Sequence, residues 1–336
     1  MVRPILPGRI GAWAEEAASV SLEIANITKT FGAFTAVRDI SFAAEAGEIF
    51  GLLGTNGAGK TTTMRIILDI LRPDTGGVLW NGDPNTAVPR RLWGYLPEER
   101  GLYPKMVVED QLLFLAQLYG APARDARRDL NDWLERFDIV ENRRKRVEQL
   151  SKGNQQKIQF LAAVLHDPEI LVMDEPFSGL DPVNAAQMIE AFAEMRRRGK
   201  TIIFSTHQME QAEELCQAIA IIHRGQLVVH GDVRAVKRST GRQVVRLALA
   251  DDPEIRWLDR LPGVTVTKRR PDFVEMDVER GGDPGAILRA ALEHGGRVTR
   301  FAIGEPSLND IFLASVGGQV EADGAPTAPR ETVAMP

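Results

Sequence analysis

A glycine-rich segment, residues 54–62 (GTNGAGKTT), constrains the fold of this 336-residue chain more than any other feature. It follows an apolar run at residues 48–53 that is typical of a buried strand, and it leads into residues 60–71, where apolar side chains recur at helical spacing. In the order strand, glycine turn, helix, backbone N–H groups and the positive end of the helix dipole can bind phosphate oxygens. The segment therefore predicts a phosphate-binding α/β domain.

The glycine loop fills every fixed position of the pattern G-x-x-x-x-G-K-[ST]. We expect its lysine to neutralise the β- and γ-phosphates of a nucleotide, the next hydroxyl to bind Mg²⁺, and the one after it to cap the helix or contact the α-phosphate. A glycine turn that matches by chance is disfavoured by the strand and helix on either side. The predicted nucleotide-binding residues of the loop are Gly54, Thr55, Asn56, Gly57, Ala58, Gly59, Lys60, Thr61 and Thr62, with Thr61 also a metal ligand.

A second apolar run, residues 170–173, ends in two acids, Asp174 and Glu175. Two acids after a strand are often only its solvated end. Downstream of a phosphate loop, however, the same pattern supplies an aspartate for Mg²⁺ and a carboxylate that activates the attacking water. We predict Asp174 as a metal ligand and Glu175 as the general base.

Composition limits the remaining possibilities. The net charge of −5 argues against non-specific binding of nucleic acid, and no apolar stretch is long enough for a membrane-spanning helix. The one cysteine, Cys216, has no intramolecular partner for a disulfide and is expected to be a small buried side chain. Residues 1–19 lack the uninterrupted apolar core of a signal peptide and are expected to form a loose extension.

The pattern of apolar runs predicts two domains. Residues 20–232 alternate strands and helices, with a helix-rich insert at about 97–165. Residues 233–316 carry the order β-α-β-β-α-β of a small ferredoxin-like α+β domain, followed by a short helix with Ser307 and Asp310 in capping-box positions. The polar tail, residues 317–336, is expected to be disordered.

Further motifs appear in one family's order, and residues 22–232 resemble the ATP-binding subunits of ABC transporters, a branch of the P-loop NTPases. The resemblance implies that Phe31 stacks on adenine and that Asp181, in the segment SGLD, belongs to the D-loop at the nucleotide. It also implies that His207, in the segment STH, contacts the γ-phosphate as the switch histidine.

The segment LSKGNQQK, residues 150–157, resembles the family's signature motif, although Lys152 and Asn154 replace a glycine and a glutamine of the usual LSGGQ. Ser151 and Gly153 are kept, and a hydroxyl and an N–H at a helix start form an anion site. The resemblance implies that this site faces the γ-phosphate held by the other subunit of a head-to-tail dimer enclosing two ATP. Lys152 either adds a cation there or is solvated.

The segment at residues 94–104 (GYLPEERGLYP) occupies the place of the family's Q-loop but has Glu98 where glutamine is expected. Glu98 either binds the metal more strongly or is a solvated acid paired with Arg100. Our hypothesis makes Glu98 a third catalytic residue that contacts Mg²⁺ or the attacking water and couples the site to a membrane subunit. The run at residues 143–146 (RRKR) is expected to be a solvated helix face.

The sequence thus predicts an ATP-hydrolysing subunit, with ATP and Mg²⁺ as cofactors, on the cytoplasmic side of the cell membrane. Separate membrane-spanning permease subunits would dock on the helical insert and the Q-loop segment, and nucleic acid is not expected as a partner. Resemblance to sodium and drug efflux ATPases points to export. The alternatives are a soluble ABC ATPase acting in translation, repair or cofactor assembly, and a small-molecule kinase. For the C-terminal domain we favour dimer stabilisation or docking over a regulatory ligand site.

Overall fold

The computed structural model describes residues 20–99, 101–252, 254–279 and 281–320. The predicted N-terminal extension, the predicted partner Arg100 and the end of the predicted tail lie outside these residues. The chain divides into two compact units, Met1–His230 and Gly231–Pro336.

A six-stranded sheet forms the centre of the first unit, in the order β10-β9-β3-β8-β7-β6. Its strands from β9 to β6 pair in parallel, and β3, β7 and β8 are buried along their whole length, as expected for apolar strands covered on both faces. The carboxyl ends of these strands share one edge. The strands are β3 (Ile49–Leu53), β6 (Trp93–Leu96), β7 (Ile170–Asp174), β8 (Thr201–Thr206), β9 (Ala218–His223) and β10 (Gln226–Asp232).

A second, antiparallel sheet has the order β2-β1-β4-β5. Its inward side chains, among them Leu22, Ile24 and Val78, join Phe50 and Leu52 of β3 in one apolar core. This packing fixes the antiparallel sheet beside the central one. Its strands are β1 (Val20–Phe31), β2 (Phe34–Glu45), β4 (Thr75–Trp80) and β5 (Asp83–Pro84).

The helices of the first unit follow the predicted pattern with two differences. Helix α1 ends at Ile67 rather than near residue 71, because Asp69 adopts a left-handed φ of 52°. The run at residues 143–146 is not a helix face; it joins two short 3₁₀ helices, Val140–Asn142 and Val147–Gln149, and Arg144 pairs with the buried Glu109 at 3.3 Å. The helices are α1 (Lys60–Ile67), α2 (Val108–Leu118), α3 (Ala123–Arg136), α4 (Lys152–Val164), α5 (Pro182–Arg197) and α6 (Met209–Leu215).

The second unit contains an antiparallel sheet in the order β12-β13-β11-β14, the strand order of a ferredoxin-like fold. The first predicted helix is instead the 3₁₀ helix Arg256–Arg260, because Ile255 has a φ of 46° and buries its side chain three residues before Leu258. The other elements are α7 (Val233–Ser239), β11 (Arg242–Leu249), β12 (Val264–Arg270), β13 (Phe273–Glu279), α8 (Pro284–Glu293), β14 (Val298–Gly304) and α9 (Leu308–Val320).

The predicted capping box at the start of α9 is confirmed. The N–H of Asp310 donates to Ser307 Oγ at 3.2 Å, and the N–H of Ser307 donates to the Asp310 carboxylate at 3.3 Å. Each side chain therefore satisfies a backbone donor at the helix start.

Helix α4 lies so close to β6 that Gly94 has no room for a side chain. A Cβ at this position would lie 2.3 Å from the carbonyl oxygen of Ala163 and 2.4 Å from Leu171 Cδ2. We expect Gly94→Ala to lower the free energy of unfolding by about 1–3 kcal/mol, measured by denaturant titration. Gly77→Ala is the control, because a Cβ there meets nothing within 4 Å; equal stability of the two variants would contradict the packing argument.

Candidate active site

The loop between β3 and α1 has the backbone of a phosphate cradle. Gly59 adopts a φ of 108°, and a Cβ there would lie 2.6 Å from the carbonyl oxygen of Ala36, so only glycine fits. Gly57 has a φ of 78° and meets nothing within 4 Å, which leaves open space beside the loop. Packing fixes one side of the loop and leaves the other side free for an anion.

Lys60 places a buried positive charge inside this loop. Its side chain folds back, and Nζ donates to the carbonyl oxygens of Gly54 at 2.8 Å and Thr55 at 3.3 Å. The same Nζ lies 3.4 Å from Glu175 Oε1, and Lys60 is only 6% exposed. Thr61 and Thr62 follow, half-buried, in the first turn of α1. The lysine thus links the phosphate loop directly to the predicted general base.

The predicted acids stand at the end of β7. Asp174 is 1% exposed, and its Oδ1 accepts a hydrogen bond from Ser205 Oγ. Glu175 adopts a left-handed φ of 48°, an uncommon conformation for this residue type that is often found at functional sites. Its Oε2 lies 3.0 Å from His207 Nδ1. Lys60, Glu175 and His207 therefore form a chain of direct contacts.

Ser205 is a site residue that the sequence reasoning missed, since it served only as context for His207. It lies opposite Asp174 in the pairing of β7 with β8 and is fully buried. Its Oγ donates to Asp174 and accepts the N–H of Glu175 at 3.0 Å. The available signal was a serine directly after the apolar run at residues 202–204, two residues before the histidine.

The acid pair fits a hard divalent cation. Asp174 Oδ2 is buried and has no hydrogen-bond partner among the described residues. An unpaired buried carboxylate oxygen is costly unless a cation or water completes it, and Mg²⁺ prefers oxygen ligands of this kind. The hydroxyl of Thr61, in the first turn of α1, is the second predicted oxygen ligand.

Glu98 lies at the same edge of the sheet. It is exposed, two residues after β6, and β6 pairs with β7 up to Leu96 and Met173. Burial raises the pKa of the Tyr95 hydroxyl, and the charges of Asp174 and Glu98 raise it further, against the lowering effect of Arg65. Glu98 and the predicted metal ligand therefore act electrostatically on one hydroxyl.

The remaining predicted residues form a second group at the starts of α4 and α5. Ser151 caps α4 by accepting the N–H of Asn154 at 3.2 Å. Asp181 caps α5, and hydrogen bonds from the backbone and side chain of Asn184 lower the pKa of its carboxyl. A Cβ on Gly153 would lie 2.6 Å from Asn184 Nδ2, so the two helix starts touch there.

The two groups remain separate. In the described part of the chain, no hydrogen bond or ion pair joins Ser151 or Asp181 to Lys60, Asp174 or Glu175. Phe31, at the end of β1, is also outside these contacts; its ring is 49% exposed, with Lys29 Nζ 5.7 Å from the centroid. Lys152 is exposed. The structure thus brings together the loop, the acids and His207, and leaves the signature serine apart from them.

We expect Ser205→Ala to lower the rate of ATP hydrolysis by more than a loss of folded protein would explain. Without the hydroxyl, the N–H of Glu175 and Oδ1 of Asp174 lose their partner, and a misplaced base and metal ligand would lower the kcat for ATP by about tenfold or more. Steady-state ATPase assays measure this. Ser239→Ala, in the second unit, removes a hydroxyl that donates to the carbonyl oxygen of Val236, and is the control. Equal kcat in both variants would show that Ser205 has no such role.

Comparison with known proteins gives a consistent result. A family model described as ABC transporter matches residues 37–178, and one described as ATP-binding protein DrrA1-3-like, C-terminal domain, matches residues 231–316. The uncharacterized ABC transporter ATP-binding protein YhaQ of Bacillus subtilis (strain 168) is 46% identical over 301 residues, which cover 89% of this chain and 100% of YhaQ. The Nod factor export ATP-binding protein I of Rhizobium sp. (strain N33) is 31% identical, over 90% of this chain and 99% of its own length.

A solved structure titled as the ATP binding subunit of an ABC transporter superposes with a TM-score of 0.62 at 31% identity, over 66% of this chain and 93% of that one. Among the described residues, no helix has the length and apolar character to cross a membrane.

Proposed function

This chain belongs to the ATP-binding subunits of ABC transporters, and on that basis we propose that it drives export through separate membrane-spanning subunits by ATP-dependent dimerisation. Binding and hydrolysis of ATP are the activity of this family. The observation that carries the proposal is that the predicted site residues form two separate groups. Lys60, Glu175 and His207 are in contact, whereas Ser151 and its helix start remain apart from them.

In the proposed mechanism, the exposed ring of Phe31 stacks on the base, and Lys60 with the loop N–H groups holds the phosphates. Thr61 and Asp174 would hold Mg²⁺, which neutralises charge on the β- and γ-phosphates when bound. Phosphate oxygens compete with Glu175 for Lys60, because Nζ is only 3.4 Å from that carboxylate. One oxygen of Glu175 is then free for water.

Glu175 accepts a proton from that water while the water oxygen attacks the γ-phosphorus and the bond to the ADP oxygen breaks. We assign His207, 3.0 Å from Glu175 and half exposed, to donate a hydrogen bond to the γ-phosphate. Because little covalent chemistry is required of the protein, the placing of these groups carries most of the catalysis.

The signature group supplies the second half of the site. Ser151 and Gly153 stand at a helix start, where a hydroxyl and N–H groups favour an anion. They are not joined to Lys60 within the described chain, and we assign them to the γ-phosphate bound by a partner, either a second copy or a related subunit. Closure of this dimer on ATP and its reopening after hydrolysis provide the mechanical signal.

We expect Glu175→Gln to trap the closed dimer, because the amide cannot accept the proton and the γ-phosphate remains in place. Size-exclusion chromatography with light scattering should show a dimer with ATP and a monomer without it. Adding Ser151→Ala to the same variant should reduce the dimer fraction, since it removes the partner-facing hydroxyl. A Glu175→Gln protein that stays monomeric at saturating ATP would contradict the shared site.

The membrane partner has a candidate docking surface on α2 and the residues beside it. Tyr103, Phe114, Leu118 and Tyr119 are all exposed, and Phe114 (51%) and Leu118 (66%) lie four residues apart on one helix face. Clustered exposed apolar side chains mark interaction sites. We assign this docking surface, Tyr103 with Phe114, Leu118 and Tyr119, to the permease subunit.

The double variant Phe114→Asp, Leu118→Asp should lose its partner. Affinity purification from detergent-solubilised membranes should recover a polytopic membrane protein with the unmodified chain and much less with the variant, because buried charge is costly at an apolar interface. Retained ATP binding would show that the fold is intact. Ile70→Asp, at a 58% exposed apolar residue outside this surface, is the control. Unchanged recovery would refute the docking surface, and recovery with ribosomes or DNA would overturn the transport function.

Export is proposed from the Nod factor relative and from the resemblance to efflux ATPases. We also propose the domain limits 20–232 and 233–316 and a peripheral position on the cytoplasmic face of the membrane. For the C-terminal domain we propose a docking or dimer-stabilising role. A soluble ATPase acting in translation, repair or cofactor assembly is not favoured, because the similar proteins named above are transporter subunits.

A further inference from the structure

Residues 97–103, in the loop between β6 and α2, connect the active-site edge of the sheet to the docking surface. Glu98 lies two residues after β6, whose last pair with β7 is Leu96 with Met173, and the exposed Tyr103 belongs to the docking surface. Two buried glutamines hold these ends. Gln159 of α4 donates from Nε2 to the carbonyl oxygen of Pro97 at 2.6 Å, and Gln111 of α2 accepts the N–H of Tyr103 at 3.2 Å.

The orientation of the Gln159 amide is fixed by its neighbours. Nε2 faces two carbonyl oxygens, that of Pro97 and, at 3.5 Å, that of Glu99, and only an amide NH₂ can donate to both. Gln159 is 3% exposed, and its Oε1 has no hydrogen-bond partner among the described residues. A buried acceptor without a partner costs stability, so packing alone does not account for a glutamine here.

Helix α4 connects this contact to the signature group. Ser151 caps the helix, and Gln159 lies two turns further on, about 12 Å along the axis at 1.5 Å per residue. Between them, Gln156 donates to the carbonyl oxygen of Pro176, next to Glu175, at 3.0 Å. One rigid helix is therefore bonded to both segments that carry catalytic carboxylates, and its first turn presents the partner-facing anion site.

We infer that Gln159 is a positioning residue, which holds the backbone on both sides of Glu98 and transmits movement of α4 to it. When the partner's nucleotide engages Ser151, the displacement reaches Pro97 through the Gln159 amide, and then Glu98 and the loop towards Tyr103. This inference rests on the proposed function, because it requires the shared site and a role for Glu98 in hydrolysis.

Kinetics of the full-length chain with Mg²⁺ and ATP test the inference. Gln159→Met keeps the length of the side chain and removes the donor, so kcat should fall about tenfold while KM for ATP stays unchanged, since residues 54–62 are untouched. Amide hydrogen exchange over residues 98–102 should become faster. Gln159→Leu, a second apolar replacement that cannot donate, should behave alike and guards against an effect peculiar to the methionine side chain. Gln117→Met, on the exposed side of α2, is the matched control.

A double-variant cycle decides whether Gln159 acts through Glu98. Glu98→Ala alone should lower kcat, and adding Gln159→Met to it should cause no further loss, because a positioning residue has no effect once the group that it positions is gone. An equal further loss in the Glu98→Ala background would overturn the inference, as would an unchanged kcat in Gln159→Met or in Glu98→Ala. Failure of the unmodified chain to hydrolyse ATP, or of Glu175→Gln to dimerise, would instead count against the proposed function.

Discussion

The parallel register of β3, β8, β7 and β6 is the constraint on which the site depends. Leu53 pairs with Thr206, and Asp174 with Ser205, so the strands end at nearly the same level. The glycine loop, the acids and His207 leave the sheet at this shared edge, where loops of α/β folds bind ligands. A slip of one residue in the pairing of β7 would turn Asp174 to the opposite face and separate Ser205 from it.

Charge is the second constraint, because Lys60, Asp174 and Glu175 are all nearly buried. Buried charges are tolerated only when paired or hydrogen-bonded. Lys60 meets this condition through two loop carbonyls and Glu175, and Asp174 through Ser205. Asp174 Oδ2 has no hydrogen-bond partner among the described residues, so a cation bound there would stabilise the buried carboxylate most.

Much of the fold and the site could be predicted from the sequence, because the residues involved are close together in the chain. The strand, glycine loop and helix around residues 54–62 are consecutive in the chain, and the four strands predicted for the second unit follow from its apolar runs. The two wrong predictions are also local: residues 143–146 are not a helix face, and the first helix of the second unit is a 3₁₀ helix that follows the left-handed Ile255. The roles of Ser205 and Gln159 were not predicted, because only the tertiary structure brings each to its partner. Asp174 is 31 residues from Ser205, and Pro97 is 62 residues from Gln159.

Glu98, which stands where the family pattern has glutamine, adds a negative charge at the edge of the sheet. With Asp174 and Glu175 it places three carboxylates at one edge of the sheet, against Lys60 and the guanidinium of Arg65 beside Tyr95. Like charges at one edge repel each other, and a divalent cation bound there would reduce the repulsion. A glutamine in the loop would add a neutral donor instead of charge. Here the amide that donates to the loop is that of Gln159, on the signature helix, and our proposal therefore makes the position of Glu98 depend on that helix.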